Sequence, residues 1–302
     1  VTMTDIQQKV RSYAWQFEGR TIRLGIGCSA FGQGYEGAGE LPLLEQCYEM
    51  GFRYFDTSRS YGESELVVGN LLRQIDRKTV FVATKSRFPF QEADGFEQFK
   101  RNFYESFTRL QTDYIDLFQI HDTNNYRVCA GEVIPFLEAR RDEGIIGAFG
   151  LGTRSQKAHQ NGIAGKRIFS SLSYLDYNLL KTSAAESIAL SRKHGTAFIN
   201  GSVMYFGLLK SPDPMSMDFG APVKAFAVKM QALCKEIGAD ISAASLQFSL
   251  LNPDIDMTLI GIKRQSNLDN VLQAMRHPLF PEQWAAIAAL QNECADIHIE
   301  AE

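Results

Sequence analysis

The chain lacks most of the features that would mark a special environment. Its five cysteines (Cys28, Cys47, Cys129, Cys234, Cys294) are scattered through 302 residues, with no CxxC pair and no histidine at zinc-ligand spacing. Neither a disulfide framework nor a structural metal site is therefore expected. Free thiols of this kind fit a reducing compartment, and a cytoplasmic location is expected. No run of about 20 apolar residues occurs, so no helical membrane span is expected. The polar opening Val1-Thr-Met-Thr-Asp-Ile-Gln-Gln-Lys9 has no apolar stretch of the secretory-leader type. Positive charge is not in excess either: 31 Lys and Arg stand against 35 Asp and Glu, a net charge of −4. That balance argues against nucleic acid or an anionic membrane as partner. Finally, the chain's G-x-G-x-x-G run, Gly32-Gln-Gly-Tyr-Glu-Gly37, does not directly follow the strand pattern ending at Ile26, so an open doubly wound sheet would lack its usual dinucleotide site.

What is present is an ordinary globular composition, 45% hydrophobic and 22% charged, with a regular alternation of strand and helix patterns. Strand patterns cover Thr21–Ile26, Arg53–Phe55, Thr79–Lys85, Tyr114–His121, Ile145–Leu151, Ile168–Tyr177, Thr196–Asn200 and Met257–Ile260. Several are nearly continuous apolar runs, as suits strands buried on both faces. Between them lie helical patterns. The clearest places Phe96, Phe99, Phe103, Phe107 and Leu110 on one stripe, which reads as core packing. About eight such units without a dividing linker predict a (β/α)8 barrel forming a single domain over 1–302, with 1–20 as an N-terminal arm and 281–302 as a C-terminal helix and tail. A glycine-rich loop, Gly27 to Gly39, could bring backbone close to a ligand.

Three unlike polar residues stand at successive strand ends: Asp56, Lys85 and His121, with Tyr61 just beyond the first. In a barrel those ends share one rim, so the four can converge. The set suits proton transfer at a carbonyl oxygen. A free phenol, with a pKa of about 10, exchanges its proton poorly near neutrality. A neighbouring ammonium favours the phenolate and is expected to lower that value. Asp56 would hold Lys85, His121 would orient the substrate oxygen, and Tyr61 would act as general acid in reduction and general base in oxidation. No group in this set carries electrons, so hydride must come from a cofactor, for which nicotinamide is the economical choice.

The run Phe55-Asp-Thr-Ser-Arg-Ser-Tyr-Gly-Glu-Ser-Glu65, with Gly69 and Leu72 beyond it, resembles the signature of the aldo-keto reductases, and the similarity covers nearly the whole chain after about residue 20. The resemblance places Asp56, Tyr61, Lys85 and His121 on the family's four catalytic positions. It implies a barrel binding NAD(P)H across its C-terminal mouth, with Gly27, Asp56, Ser202, Met204 and Gly207 along the cofactor and Lys263, Arg264, Asn267 and Asn270 around its adenosine end. Gly152-Thr153 stands where many members have Ser-Asn against the carboxamide, Tyr174 where Gln is common, and Gly201 where an aromatic usually stacks on nicotinamide. These departures, together with the segments Asn200–Leu209 and Ala239–Asn252, resemble the branch that includes L-galactose dehydrogenase and D-threo-aldose 1-dehydrogenase. An aldose oxidised to its lactone is the substrate this implies.

Two adjacent cations, Lys263 and Arg264, beside the adenosine ribose favour NADP over NAD, which remains the alternative. Phe31, Phe88, Tyr126 and the 201–221 segment are the expected substrate contacts. The alternatives are an NADPH-dependent reductase of aldehydes or ketones and a nicotinamide-binding regulatory subunit.

Overall fold

The computed structural model describes residues 3–33 and 40–294. Gly34, Gly37 and Gly39 of the expected glycine-rich loop, and the tail beyond residue 294, lie outside the described residues. The chain opens with helix α1 (Met3–Ser12) and an antiparallel hairpin, β1 (Trp15–Phe17) with β2 (Arg20–Ile22). The single strand expected over Thr21–Ile26 is thus two pieces. Ile22 ends the hairpin, and β3 (Leu24–Gly27) starts the barrel. Trp15 is fully buried, stacks on Phe52 with ring centroids 4.4 Å apart, and donates its indole N–H to the Met50 carbonyl at 2.8 Å. It covers the N-terminal end of the barrel.

The remaining barrel strands are β4 (Tyr54–Asp56), β5 (Phe81–Arg87), β6 (Ile115–His121), β7 (Ile146–Gly152), β8 (Ser170–Tyr174), β9 (Ala197–Gly201) and β10 (Met257–Gly261). Each pairs in parallel with its neighbour, and β10 closes on β3. The helices between and after them are α2 (Glu40–Glu49), α3 (Ser64–Leu72), α4 (Gly95–Leu110), α5 (Tyr126–Gly131), α6 (Val133–Asp142), α7 (Gln156–Ala164), α8 (Ala185–His194), α9 (Ala221–Glu236), α10 (Ile241–Leu250), α11 (Gln265–Arg276) and α12 (Pro281–Glu293). This is a (β/α)8 barrel in one domain. Among the described residues no helix is long and apolar enough to cross a membrane.

The parallel strands are buried on both faces, which is why they read as apolar runs; all seven residues of β6 are buried. The phenylalanine stripe of α4 explains the outer layer. Phe99 and Phe103 are fully buried against Phe118 on the outward face of β6 and Phe136 of α6. Each such ring contributes roughly 2–3 kcal/mol of burial free energy. Inward positions alternate with outward ones and stack in levels. Tyr54 and Phe81 form one level, stacked at 4.8 Å. The next level toward the C-terminal rim holds Asp56, Ala83 and Leu117 in register, and the one beyond it Lys85 and Gln119. Arg87 and His121, also in register, follow.

Candidate active site

Strand β5 begins two residues later than expected and runs two further, because Thr79 belongs to a 3-10 turn (Arg77–Thr79). Lys85 therefore sits inside the strand rather than at its tip. Its ammonium lies 2.5 Å from Asp56 Oδ1 and donates also to the Thr57 carbonyl at 2.8 Å. Asp56 Oδ2 accepts from Gln119 Nε2 at 3.3 Å. All three side chains are buried. Gly152 packs beside them: a Cβ there would stand 3.1 Å from Lys85 Cδ. Its bare backbone leaves room for the lysine stem.

The Lys85 ammonium is 5.0 Å from the centroid of the Tyr61 ring, and the Tyr61 and His121 rings meet edge to face at 5.6 Å. Tyr61 is held by the loop that follows β4. Arg59 N–H donates to the Lys85 carbonyl at 2.9 Å and Tyr61 N–H to the Ser58 carbonyl at 3.0 Å. The far end of the loop is tied down by Ser64, whose Oγ is 2.7 Å from Thr57 Oγ1 and donates to the Cys28 carbonyl at 2.7 Å. Glu65 accepts from Thr84 at 2.7 Å and from Arg109 at 3.2 Å, clamping α3 to β5 and α4. Ser64 and Glu65 thus serve the loop's shape, while Tyr61 faces the cleft.

Electrostatics follow from this burial. Burial alone would lower the Lys85 ammonium, but Asp56 and then Tyr61 outweigh it, so its pKa is raised and the lysine stays charged. For Asp56, burial pushes the pKa up, with Lys85 and Gln119 opposing; the donors converging on its oxygens favour the ion pair. Burial likewise pushes the Tyr61 phenol above its ordinary value, and the nearby Lys85 ammonium pulls the other way. The net lowering expected from the sequence is therefore reversed: desolvation outweighs the cation. His121 is driven down to about 3 by burial and then by Lys85, so its imidazole is neutral near pH 7. Its Nδ1 lies 3.1 Å from Ser58 Oγ, leaving Nε2 toward Asp122 Oδ1 at 3.6 Å, too long for a hydrogen bond.

These groups open onto a cleft of about 900 Å³ at the C-terminal rim of the barrel. Asp56, Tyr61 and His121 line it, with Lys85 immediately behind. Gly27, Tyr174, Ser202, Met204, Gly207, Lys263, Arg264, Asn267 and Asn270 line it as well. Thr153 does not: its side chain is buried, with Oγ1 donating to the Thr123 carbonyl at 2.8 Å.

The three aromatic substrate contacts expected from the sequence also stand elsewhere. Phe31 is fully buried in the main core. Phe88 follows Arg87, and alternation turns it outward onto Phe90 and Phe99 of the helical layer. Tyr126 opens α5 and packs on α7, where a Cβ at Gly162 would meet its ring at 3.3 Å. In their place the cleft presents Arg87, Asp122 and Phe206. Sequence reading singled out none of these three individually, although Asp122 follows His121 directly and Phe206 falls in the 201–221 segment.

The architecture is that of the barrel enzymes that carry their chemistry at the C-terminal rim. More particularly, the chain belongs to the aldo/keto reductase family, whose match spans residues 23–292. It is an oxidoreductase acting on carbonyl or alcohol groups. L-galactose dehydrogenase from Arabidopsis thaliana is 27% identical over 267 residues, covering 83% of each chain. D-threo-aldose 1-dehydrogenase from a Pseudomonas species is 25% identical, covering 87% of this chain and 94% of its own. In three dimensions the chain is similar to the holo form of aldo-keto reductase AKR11C1 from Bacillus halodurans, with a TM-score of 0.76 at 23% identity over 92% of this chain and 95% of the other. That likeness concerns the fold.

Proposed function

We propose that this protein is an NAD(P)-dependent oxidoreductase that converts an aldose to its lactone, with Tyr61 exchanging the proton at the reacting oxygen. The observation that carries the reading is the meeting of Tyr61, the buried Lys85–Asp56 pair and a neutral His121 at one cleft. The names of the two sugar dehydrogenases among the relatives support the choice of an aldose.

The cleft suits a nicotinamide dinucleotide. At about 900 Å³ it lies toward the large end of small-molecule sites, roughly 300–1,000 Å³. Gly27, Gly201 and Gly261 give it side-chain-free stretches of rim. Where β10 passes into α11, Lys263 and Arg264 stand before the helix N-terminus, a place that favours anionic groups. Ser202, Met204, Asn267 and Asn270 complete that path, and the paired cations favour NADP over NAD. Bound there, nicotinamide would supply or accept the hydride.

The chain's own residues handle the proton. In oxidation Tyr61, as phenolate, takes the proton of the anomeric hydroxyl while that carbon gives up hydride; reduction runs in reverse. The Lys85 ammonium stabilises the phenolate, and Asp56 fixes the ammonium. His121, being neutral, hydrogen-bonds the reacting oxygen without competing for its proton.

The test is a steady-state screen of aldoses with NADP+ and NAD+, and of aldehydes with the reduced forms, on wild type and Tyr61→Phe. Sugar oxidation that falls by about 10²-fold or more in Tyr61→Phe is expected. Reduction of simple aldehydes without any sugar oxidation would replace the aldose with an aldehyde substrate. Unchanged rates in Tyr61→Phe would remove Tyr61 from the chemistry.

A further inference from the structure

Beside the proton-transfer groups stands a polar cluster that the chemistry just described does not use. Asp122 follows His121 directly and holds a left-handed backbone, φ 52°. Its Oδ1 accepts from Tyr174 OH at 2.7 Å, and its Oδ2 accepts from Arg87 Nε and Nη2 at 3.2 and 2.8 Å. The three residues come from the ends of β5, β6 and β8 and line the same cleft as Tyr61 and His121. Arg87 keeps 65% of its side chain exposed and Asp122 26%. A carboxylate can accept about four hydrogen bonds, and this one accepts three. The Arg87 fork likewise retains an Nη1 group with no hydrogen-bond partner among the described residues.

The same cleft is lined by Phe206, which is 60% exposed. Its centroid is 6.3 Å from that of Tyr174. Its backbone is left-handed (φ 50°, ψ 28°), as are those of Ser202, Tyr205 and Gly207 around it. A bulky residue held there, in a run of such residues, is the kind of local strain that persists where a site requires it.

We infer that Arg87 and Asp122 form the specificity subsite for a polyhydroxylated substrate, gripping adjacent sugar hydroxyls while Phe206 covers an apolar face of the ring. The chemistry selects this class. An anionic ligand gains little from Arg87, whose charge Asp122 already balances, and meets the carboxylate's repulsion. A purely apolar ligand would strip water from both ions without replacing it. A hydroxyl pair does replace it: one hydroxyl donates to Asp122, and its neighbour accepts from Arg87. Tyr174 acts as a positioning residue, holding Asp122 through its phenol. The subsite presupposes Tyr61 acting on a sugar, as proposed above.

The experiment compares kcat/KM for an aldose, a series of its singly deoxygenated analogues and a simple aldehyde lacking hydroxyls, in wild type, Asp122→Asn, Arg87→Met and Phe206→Ala. The expected result is that Asp122→Asn and Arg87→Met each lower the sugar-to-aldehyde ratio of kcat/KM tenfold or more, with KM rising more than kcat falls. The analogue lacking the gripped hydroxyl should show that penalty already in wild type, with little further loss in the variants. If both variants reduce sugar and aldehyde by the same factor while wild type oxidises sugars, the subsite is overturned and the sugar reading stands. If wild type reduces aldehydes but oxidises no sugar, both fall.

Discussion

The Lys85 ammonium bridges two functional partners, lying 2.5 Å from the Asp56 carboxylate and 5.0 Å from the centre of the Tyr61 ring. Among the described residues it is the one cation that favours the Tyr61 phenolate and the one counter-charge of the buried Asp56, so its loss should be felt twice. Lys85→Met should abolish most turnover. It should also cost about 3–5 kcal/mol of stability, because Asp56 is left buried and unpaired. The double variant Lys85→Met/Asp56→Asn should regain part of that stability and none of the activity. Urea unfolding and steady-state rates on the three proteins check both halves. A single variant as stable as wild type would mean that Asp56 is already protonated and uncharged.

Acid should weaken the fold through two histidines. Burial holds His121 at about 3 and His159 at about 4. His159 is committed as a neutral ring: Nε2 meets the Thr153 carbonyl at 2.8 Å, and Nδ1 meets Ser171 Oγ at 2.5 Å. The unfolded chain therefore binds more protons than the folded one between these values and about 6.5. The corresponding stability is complete above about 6.5 and drains as the pH falls toward 4, at up to about 1.4 kcal/mol per pKa unit for each ring. The urea midpoint should fall on going from pH 7 to 4.5, and the slope should flatten in His159→Asn. The same values bear on activity. His121 has no proton to lose near pH 6.5, so carbonyl reduction should show no His121-dependent limb there. Because burial raises Tyr61 above the ordinary phenol value, any alkaline limb from loss of the donor proton should lie on the alkaline side of a free phenol's titration. A limb near 6.5 that disappears in His121→Asn would contradict this account.

For cofactor choice, the useful variant is Lys263→Ala/Arg264→Ala. If these cations meet a 2′-phosphate, affinity for NADP should fall roughly tenfold or more, the scale of a charge-assisted hydrogen bond, while NAD changes little. Fluorescence titration with both reduced dinucleotides gives the two dissociation constants. Equal losses would assign the cations to the pyrophosphate, and no loss with either dinucleotide would assign them to solvent; in both cases the preference for NADP would lapse.

The barrel was legible because its strands are buried on both faces and its clearest helix, α4, carries one apolar stripe; neither pattern needs long-range information. Asp56, Tyr61, Lys85 and His121 were legible for a related reason, since rim positions follow from where apolar runs stop. The substrate wall was not legible. Whether Phe88 or Arg87 faces the cleft depends on strand phase, and a shift of one residue exchanges them. The six-residue α5 was too short to show a helical period, so Tyr126 looked like a loop aromatic when it is a packing residue between helices. Tyr174 was placed at the cleft by resemblance, but its hydroxyl's partner, Asp122, stands 52 positions away and no spacing shows it. The rise of the Tyr61 pKa was missed because a sequence shows the neighbouring charge but not the depth of burial.

The Tyr61 loop offers a last test, since its shape depends on one glycine. Gly32 has φ +71°, and a Cβ there would lie 2.3 Å from the Glu63 carbonyl carbon and 2.4 Å from the Ser64 nitrogen. Its carbonyl accepts from Glu63 N–H at 3.0 Å, which fastens the segment between Gly62 and Ser64. Gly32→Ala therefore meets two obstacles, an unfavourable backbone and a backbone collision that no side-chain rotation relieves. A loss of about 2–4 kcal/mol is expected, with kcat falling more than KM changes because Tyr61 moves with its loop. Gly19→Ala is the control. Gly19 has a similar φ of +76° but nothing within 4 Å of its added Cβ. It should lose only about 1 kcal/mol and no activity, being in the hairpin at the opposite end of the barrel. Equal behaviour of the two variants would mean that close backbone apposition, as distinct from glycine's dihedral freedom, does not hold the tyrosine in place.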